Sequence, residues 1–228
     1  MAHSGGPFQV LKQAVVQLLG RDLANRVSAP YHDWVARRRT RHRLAALPSN
    51  DLYVNIGCGP NPLSGWINLD MARGDGIDIV WDLRDGLPFL AESCTAVFGE
   101  HVIEHMSKED ARQLLRECHR VLQPGGLIRL STPDAARYLH SYSGDGEFLR
   151  HPSFSMPMET PMDRINQVMR EFGQHLWIYD AKSLMLLLRQ TGFASAVEQK
   201  FRESLRPRLQ NIDSEERAFE SLYVEAVK

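Results

Sequence analysis

The spacing of apolar positions changes character near residue 50. Upstream, Phe8, Leu11, Val15, Leu18 and Leu19 fall on one face at helical spacing. Gly20 and Pro30 punctuate that stretch, and a second helix is predicted over about 31–47. Pro48-Ser49-Asn50 then breaks the pattern. Downstream, short apolar runs alternate with helical stretches, as expected of a mostly parallel sheet with crossover helices. Strands are predicted over 52–56, 66–69, 77–81, 96–99, 127–130, 194–201 and 221–227. Ser107 opens a helix, with Asp110 three residues on in a capping-box arrangement. Ala111, Leu114, Leu115, Cys118, Val121 and Leu122 keep its inner face apolar until Pro124-Gly125-Gly126 stops it. Asp180 caps another helix, with Leu184, Leu187 and Leu188 inward and Gly192 at its end. Residues 133–179 have no clean period and read as a lid or binding loop. Its lid candidates are Tyr138, His140, Tyr142, His151, Phe154, Met156, Met158 and Met162. Residues 202–219 are charged and read as a loop with a helical turn.

Composition narrows the class without naming it. The 228 residues suit one domain with a short extension. At 43% hydrophobic and 24% charged residues, the chain affords a large core, and disorder as its main state is excluded. No apolar run approaches the roughly 20 residues of a membrane span. Residues 1–7 lack a basic stretch followed by an apolar one, so the expected location is cytoplasmic. Cys58, Cys94 and Cys118 are odd in number and form no CxxC pair, which fits reduced thiols. The net charge of −1 conceals an asymmetry. Residues 1–50 carry one lysine and seven arginines against two aspartates, a net +6 that leaves the rest at −7. Arg37, Arg38, Arg39, Arg41 and Arg43 lie in the second helix of this arm. A solvated helix face, a cover for an anionic substrate, a dimer contact and a membrane-surface contact all suit such an arm. The acidic body is a poor surface for nucleic acid, and none is expected as a partner.

Candidate chemistry collects at the ends of the predicted strands. The first runs into Asn55-Ile56-Gly57-Cys58-Gly59-Pro60, where glycines let the backbone approach a bound cofactor. The third glycine of the dinucleotide fingerprint is replaced by Pro62, and two prolines make a long helix here improbable. A nicotinamide cofactor is therefore disfavoured. The second strand ends in Asp70, a carboxylate that suits two ribose hydroxyls or simply opens a turn. The third ends in Asp82-Leu83, suited to an adenine amino group and ring, and the fourth in Glu100-His101.

Taken in order, these pieces resemble class I S-adenosylmethionine-dependent methyltransferases. The resemblance rests on Asn55-Ile56-Gly57-Cys58-Gly59, Gly65-Trp66-Ile67-Asn68-Leu69-Asp70, Asp82-Leu83 followed by Leu87-Pro88-Phe89, His101-Val102-Ile103-Glu104-His105, and Arg120-Val121-Leu122-Gln123-Pro124-Gly125-Gly126. It covers about residues 51–193, with a weaker match at 223–227. The short glycine loop is similar to a subgroup often met among surface-polysaccharide enzymes. The resemblance implies an α/β, Rossmann-like, doubly wound seven-stranded sheet with an antiparallel last strand, here preceded by a helical arm at 1–48. Residues 49–228 would form the S-adenosylmethionine-binding domain, with the insertion at about 133–179. It also implies that Gly57, Cys58 and Gly59 pass beneath the methionine and ribose, and that Asp70, with Met71 beside it, holds the ribose. Asp82 and Leu83 would meet the adenine, and Glu100 and His101 would flank the sulfonium. Many members carry an acid where this chain has Asn55, whose amide can still hydrogen-bond the cofactor but brings no charge.

The histidines have competing readings. His101-x-x-Glu104-His105 matches an inverted zinc-protease pattern in letters, but it leaves a strand, whereas that motif works from a helix. It is also similar to the Glu-x-x-Glu-His by which some quinone- and RNA-modifying methyltransferases bind metal. His101 suits a hard cation less well than Glu, so no metal is expected. His175 precedes the Asp180-capped helix, at the sheet edge that borders the acceptor. His175 or His105 can take a hydroxyl proton during transfer. The expected activity is methyl transfer from S-adenosylmethionine to a hydroxyl, or an amine, of a glycan precursor or small metabolite. A catalytically inactive S-adenosylmethionine-binding module or partner subunit is the rival reading, and a homodimer suits either.

Overall fold

The computed structural model describes residue 40 and residues 42–154 and 156–228. Of the two arm helices expected over 8–47, only residue 40 and residues 42–47 are described; 42–45 are helical, and Arg43 is the one arm arginine among them. The chain divides into two units, residues 1–46 and 47–228. The second holds seven strands: β1 (Leu52–Ile56), β2 (Ile67–Asp70), β3 (Ile79–Val80), β4 (Cys94–Glu100), β5 (Leu122–Pro133), β6 (Ser195–Gln199) and β7 (Ser221–Val227). They form one sheet in the order β3-β2-β1-β4-β5-β7-β6. β7 runs antiparallel to both β5 and β6, while the pairs from β3 to β5 are parallel. This is the Rossmann-like sheet with a reversed last strand that the motif order implies. The order in which strands are added reverses between the parallel β1 and β4, and the crevice at their C-terminal ends is where ligands sit in open α/β sheets.

The two faces of the sheet are covered differently. Val54, Leu69, Val97, Ile128, Leu130 and Val224 are buried at alternate positions of five strands. Over that face lies α1 (Lys108–Val121), whose Ala111, Leu114, Leu115, Cys118 and Val121 are buried at i, i+3 and i+4 spacing. Ser107 caps it by accepting the Asp110 amide at 3.2 Å, and its hydroxyl donates to the Asp110 carboxylate at 2.7 Å. Such a cap is worth about 1 kcal/mol. Beside α1 runs the Asp180-capped helix over Ala181–Gln190, linked to it by an Arg112–Gln190 hydrogen bond and by His119 edge-on to Phe193.

The opposite face packs Trp66, Ala96, Phe98 and Leu127 against Leu209 of the segment after β6. That segment contains two short 3-10 turns, Pro207–Leu209 and Glu215–Arg217, consistent with its loop-like sequence. What fastens it is Arg129, wholly buried in mid-β5. Its guanidinium donates to both Asp213 carboxylate oxygens, to Glu225, and to the carbonyls of Glu203 and Lys200, which uses all five N–H groups. Both carboxylates are buried with it. A buried guanidinium is tolerable only when paired and fully hydrogen-bonded, and this one is.

Three elements depart from the periodicity. β5 spans Leu122–Pro133 rather than four residues, because it begins in an irregular stretch across Pro124-Gly125-Gly126 before pairing regularly with β4. β3 shrinks to two residues at the sheet edge, where it has one partner. The aperiodic segment contains α2 (Ala135–Ser143), capped by Asp134, and α3 (Pro161–Arg170), capped by a Thr160–Asp163 box. These helices bury one side in a satellite cluster of Tyr138, Leu149, Ile165 and Val168, apart from the main sheet. The helix over Ala181–Gln190 is named α4 below.

Candidate active site

The turn after β1 is built around glycine. Gly57 lies at φ +59°, and a Cβ there would stand 2.3 Å from Val102 Cγ2. The loop reaches Trp66 without a helix, as its two prolines predict. Gly59 N donates to Asp70 Oδ2 at 2.8 Å, and Ala72 N to Oδ1 at 2.7 Å. Asp70 thus ties the glycine loop to the end of β2 and keeps lone pairs for a ligand.

A cleft of about 460 Å³ opens at this edge. Gly57, Asp70, Met71, Asp82, Leu83 and His101 line it together with Trp81 and Val102. Leu83 is buried and Met71 is 67% exposed, so the cleft has an apolar floor and an open rim. Asp82 is gripped by Arg84, Nη2 to Oδ2 at 2.6 Å and Nε to Oδ1 at 2.9 Å. The Arg84 hydrogen bonds hold the Asp82 carboxyl below its usual range.

Four of the expected cofactor residues, Asn55, Cys58, Gly59 and Glu100, line neither this cleft nor the chamber beside it. Asn55 is buried on the opposite face, where its amide donates to Asn68 Oδ1 at 3.0 Å and to the Asn61 carbonyl at 3.3 Å. It shapes the glycine loop from beneath. The Cys58 thiol is buried, and burial, with the Asp70 charge second, lifts its pKa to about 11. Glu100 accepts the Ser214 amide at 2.9 Å and so anchors the segment that Arg129 also holds.

The second cavity, of about 500 Å³, lies beyond His101, His105 and Gln174, which line both spaces. Its walls include Tyr138, Phe154, Arg164 and His175 from the inserted segment, and Arg217, Phe219 and Glu220 from the segment before β7. His105 and His175 stand edge to face, 4.9 Å between ring centroids. They are brought together by the backbone: Leu176 N and Trp177 N both donate to the Glu104 carbonyl, at 2.8 and 3.2 Å. His175 Nδ1 lies 2.6 Å from the Val168 carbonyl. A carbonyl only accepts, so Nδ1 carries the proton and Nε2 keeps its lone pair.

His101, at φ +50°, bridges two groups, with Nε2 2.6 Å from Ser221 Oγ and Nδ1 3.2 Å from Glu104 Oε1. Glu104 is wholly buried, and Thr132 donates to its Oε2 at 3.0 Å. Burial alone would raise its pKa, but the His101 imidazole beside it outweighs that and holds the carboxyl below the usual range.

A family model described as a methyltransferase domain matches residues 30–199. The chain belongs to the methyltransferase domain family. Its class is the S-adenosylmethionine-dependent class I that the ordered motifs resemble. Over 72 residues this methyltransferase is 43% identical to malonyl-[acyl-carrier protein] O-methyltransferase 1 of Coxiella burnetii. The match takes in 31% of this chain and 25% of that protein, so the chain spans about a quarter of that relative's length. Among solved structures, a methyltransferase from Thermotoga maritima matches with TM-score 0.49 and 18% identity, covering 90% of this chain and 97% of its own. One from Archaeoglobus fulgidus matches with TM-score 0.48 and 17% identity, over 86% of this chain and 94% of its own.

Several lining residues of this methyltransferase carry no sequence signal. Arg164 and Gln167 lie in a segment without period, Arg217 in the charged 202–219 stretch that reads as a loop with a helical turn, and Glu220 just after it. Gln174 could have been found, because it adjoins His175. Among the described residues, no helix is long and apolar enough to cross a membrane.

Proposed function

We propose that the chain moves a methyl group from S-adenosylmethionine to a hydroxyl of a glycan precursor or small polar metabolite. The observation that carries this reading is the meeting of the two cavities at His101, His105 and Gln174. One space has a bare glycine backbone, a carboxylate at the end of β2 and an apolar floor, which suits a nucleoside with an amino-acid tail. The other mixes Arg164, Arg217, Gln167 and Glu220 with Tyr138, Phe154 and Phe219, which suits a polyol presenting both hydroxyls and flat apolar faces.

The donor supplies a methyl group already activated on a sulfonium, so alignment of the acceptor does most of the work. Gly57 brings bare backbone to the cleft wall, because any side chain would run into Val102. Asp70 receives ribose hydroxyls on the lone pairs that Gly59 and Ala72 leave free. Leu83 and Trp81 cover the base. Because Arg84 already engages Asp82, an adenine amino group must share that carboxylate with the guanidinium. His175 accepts the acceptor's hydroxyl proton at Nε2, the nitrogen that Val168 leaves unprotonated. That free lone pair is why a hydroxyl is favoured over an amine. The Coxiella burnetii relative, an O-methyltransferase by name, supports oxygen over nitrogen as the acceptor atom over the part that matches.

Calorimetric titration with S-adenosylmethionine, with S-adenosylhomocysteine release measured on nucleotide-sugar and polyol acceptors, tests this reading. Asp70→Ala is expected to weaken cofactor binding roughly 10- to 100-fold, the worth of a charged hydrogen bond. Asp70→Asn, which can still hold one loop amide, separates ribose contact from loop anchoring. Absence of binding to the wild type would overturn the reading. Tight binding without turnover on any acceptor would favour the inactive binding module.

A further inference from the structure

The geometry points to a divalent cation site formed by Glu104, His105 and His175 where the cleft meets the chamber. One ligand atom from each of these residues lies within 4.8 Å of the others. Around a tetrahedral ion with bonds of about 2.0–2.2 Å, ligand atoms stand roughly 3.3 Å apart. Binding therefore requires the ligand atoms to close by up to about 1.5 Å.

Three observations distinguish this cluster from a chance meeting of histidines. Glu104 is wholly buried, and no group donates to its Oε1 in good hydrogen-bond geometry; the His101 imidazole, with Nδ1 3.2 Å away, faces it as an ion-pair partner. His101 engages one side of that oxygen, and a carboxylate oxygen has a second lone pair that a cation can take. The remaining polar atoms are oriented from outside. His175 Nδ1 donates to the Val168 carbonyl, which presents Nε2 as a ligand, and Glu104 Oε2 takes the Thr132 hydroxyl. Hydrogen bonds of this kind set the tautomer and direction of metal-binding side chains. Finally, the hydrogen bonds from Leu176 and Trp177 to the Glu104 carbonyl hold two segments distant in sequence in one register. The ligands are therefore placed by backbone rather than by flexible loops.

Two imidazole nitrogens and one carboxylate oxygen suit a borderline ion such as Zn²⁺, Co²⁺ or Fe²⁺ better than Mg²⁺, which prefers oxygen. Three protein ligands leave at least one position open to the chamber. The binding stands by itself, while its use in transfer rests on the methyl transfer proposed above and takes the place there of His175 as base. An acceptor hydroxyl on the open position is acidified by the ion and releases its proton to chamber water. The oxygen then bonds the methyl carbon while the carbon–sulfur pair returns to sulfur. With the ion bound, the lone pairs of His105 and His175 are engaged, and neither acts as base.

The test uses the full chain, stripped with chelator and dialysed against Zn²⁺ or Mg²⁺ without S-adenosylmethionine. One Zn²⁺ per chain is expected, at micromolar affinity or tighter and in preference to Mg²⁺. Co²⁺ in its place should give visible absorption of a four- or five-coordinate ion. His105→Ala and His175→Ala should each weaken Zn²⁺ binding at least about 100-fold, beyond what loss of a mere orienting partner typically costs. Near-UV circular dichroism checks that both variants stay folded; Glu104 is avoided because its burial makes substitution risky. Absence of Zn²⁺ binding, or binding unchanged in both variants, overturns the site. Titration of the same wild-type sample with S-adenosylmethionine separates the two readings. Cofactor binding without Zn²⁺ binding refutes the ion and leaves His175 as base. Zn²⁺ without cofactor binding supports the ion site and refutes the proposed function.

Discussion

Substituting alanine at Gly57 tests the backbone of the site most directly. Two costs arise there, and they separate. The first is conformational: at φ +59°, an L-residue is roughly 1–2 kcal/mol worse than glycine. The second is steric: the new Cβ would lie 2.3 Å from Val102 Cγ2, so Val102 must retreat by about 1 Å, an overpacking cost of roughly 1–3 kcal/mol. Gly57→Ala should therefore lose about 2–5 kcal/mol in urea denaturation. Val102 also lines the cleft, so binding of S-adenosylmethionine should weaken roughly tenfold or more as the strain reaches the ligand. Val102→Ala is the discriminating partner. In the double variant the nearest remaining atom of residue 102 is Cβ, at 3.3 Å, a tight contact but not a clash. The double-mutant cycle should return about 1–3 kcal/mol of favourable coupling and leave the conformational cost in place. A Gly57→Ala variant within about 0.5 kcal/mol of wild type, or a cycle with no coupling, would refute the account of this turn.

Two further outcomes follow from the buried and paired charges. Arg129→Met strands the Asp213 and Glu225 carboxylates inside the protein and should cost roughly 3–5 kcal/mol, whereas replacing all three by apolar residues of similar volume should recover only part of it, because the Glu203 and Lys200 carbonyls and the Arg202 and Leu205 amides then lose their partners. Urea curves on both variants check this, and a single substitution costing under about 1 kcal/mol would contradict it. Glu117 is held below its ordinary value of 4.5 by its hydrogen bonds from Arg120. A lowered folded pKa means stability present above that ordinary value and lost as pH falls through the folded one. Acid titration of thermal stability should therefore show a smaller loss below about pH 4.5 in Glu117→Gln than in wild type, and equal losses would dismiss the pair.

What the sequence by itself determined is local and periodic. β1 and β7 have the bounds their apolar runs predict, and Ser107 and Asp180 cap the helices expected of them. Gly57, Asp70, Asp82 and Leu83 reach one cleft because each ends a parallel strand, and parallel strands bring their C-terminal ends to the same edge. Position at a strand end says nothing about which way a side chain turns. Asn55 and Glu100 belong to such ends yet face the sheet side covered by residues 200–214, because strand side chains alternate and their parity is set by what packs on each face. The insertion hid its helices because α2 and α3 pack on each other and not on the sheet, so no long apolar period marks them. Arg129 is the clearest case of a tertiary decision. Its strand pattern alone would not distinguish a solvated arginine from a buried one, since the partners that make burial tolerable come from β7 and the covering segment. The same holds for His105 and His175. Their meeting depends on two hydrogen bonds to a carbonyl 72 and 73 positions away, a relation that no spacing along the chain encodes.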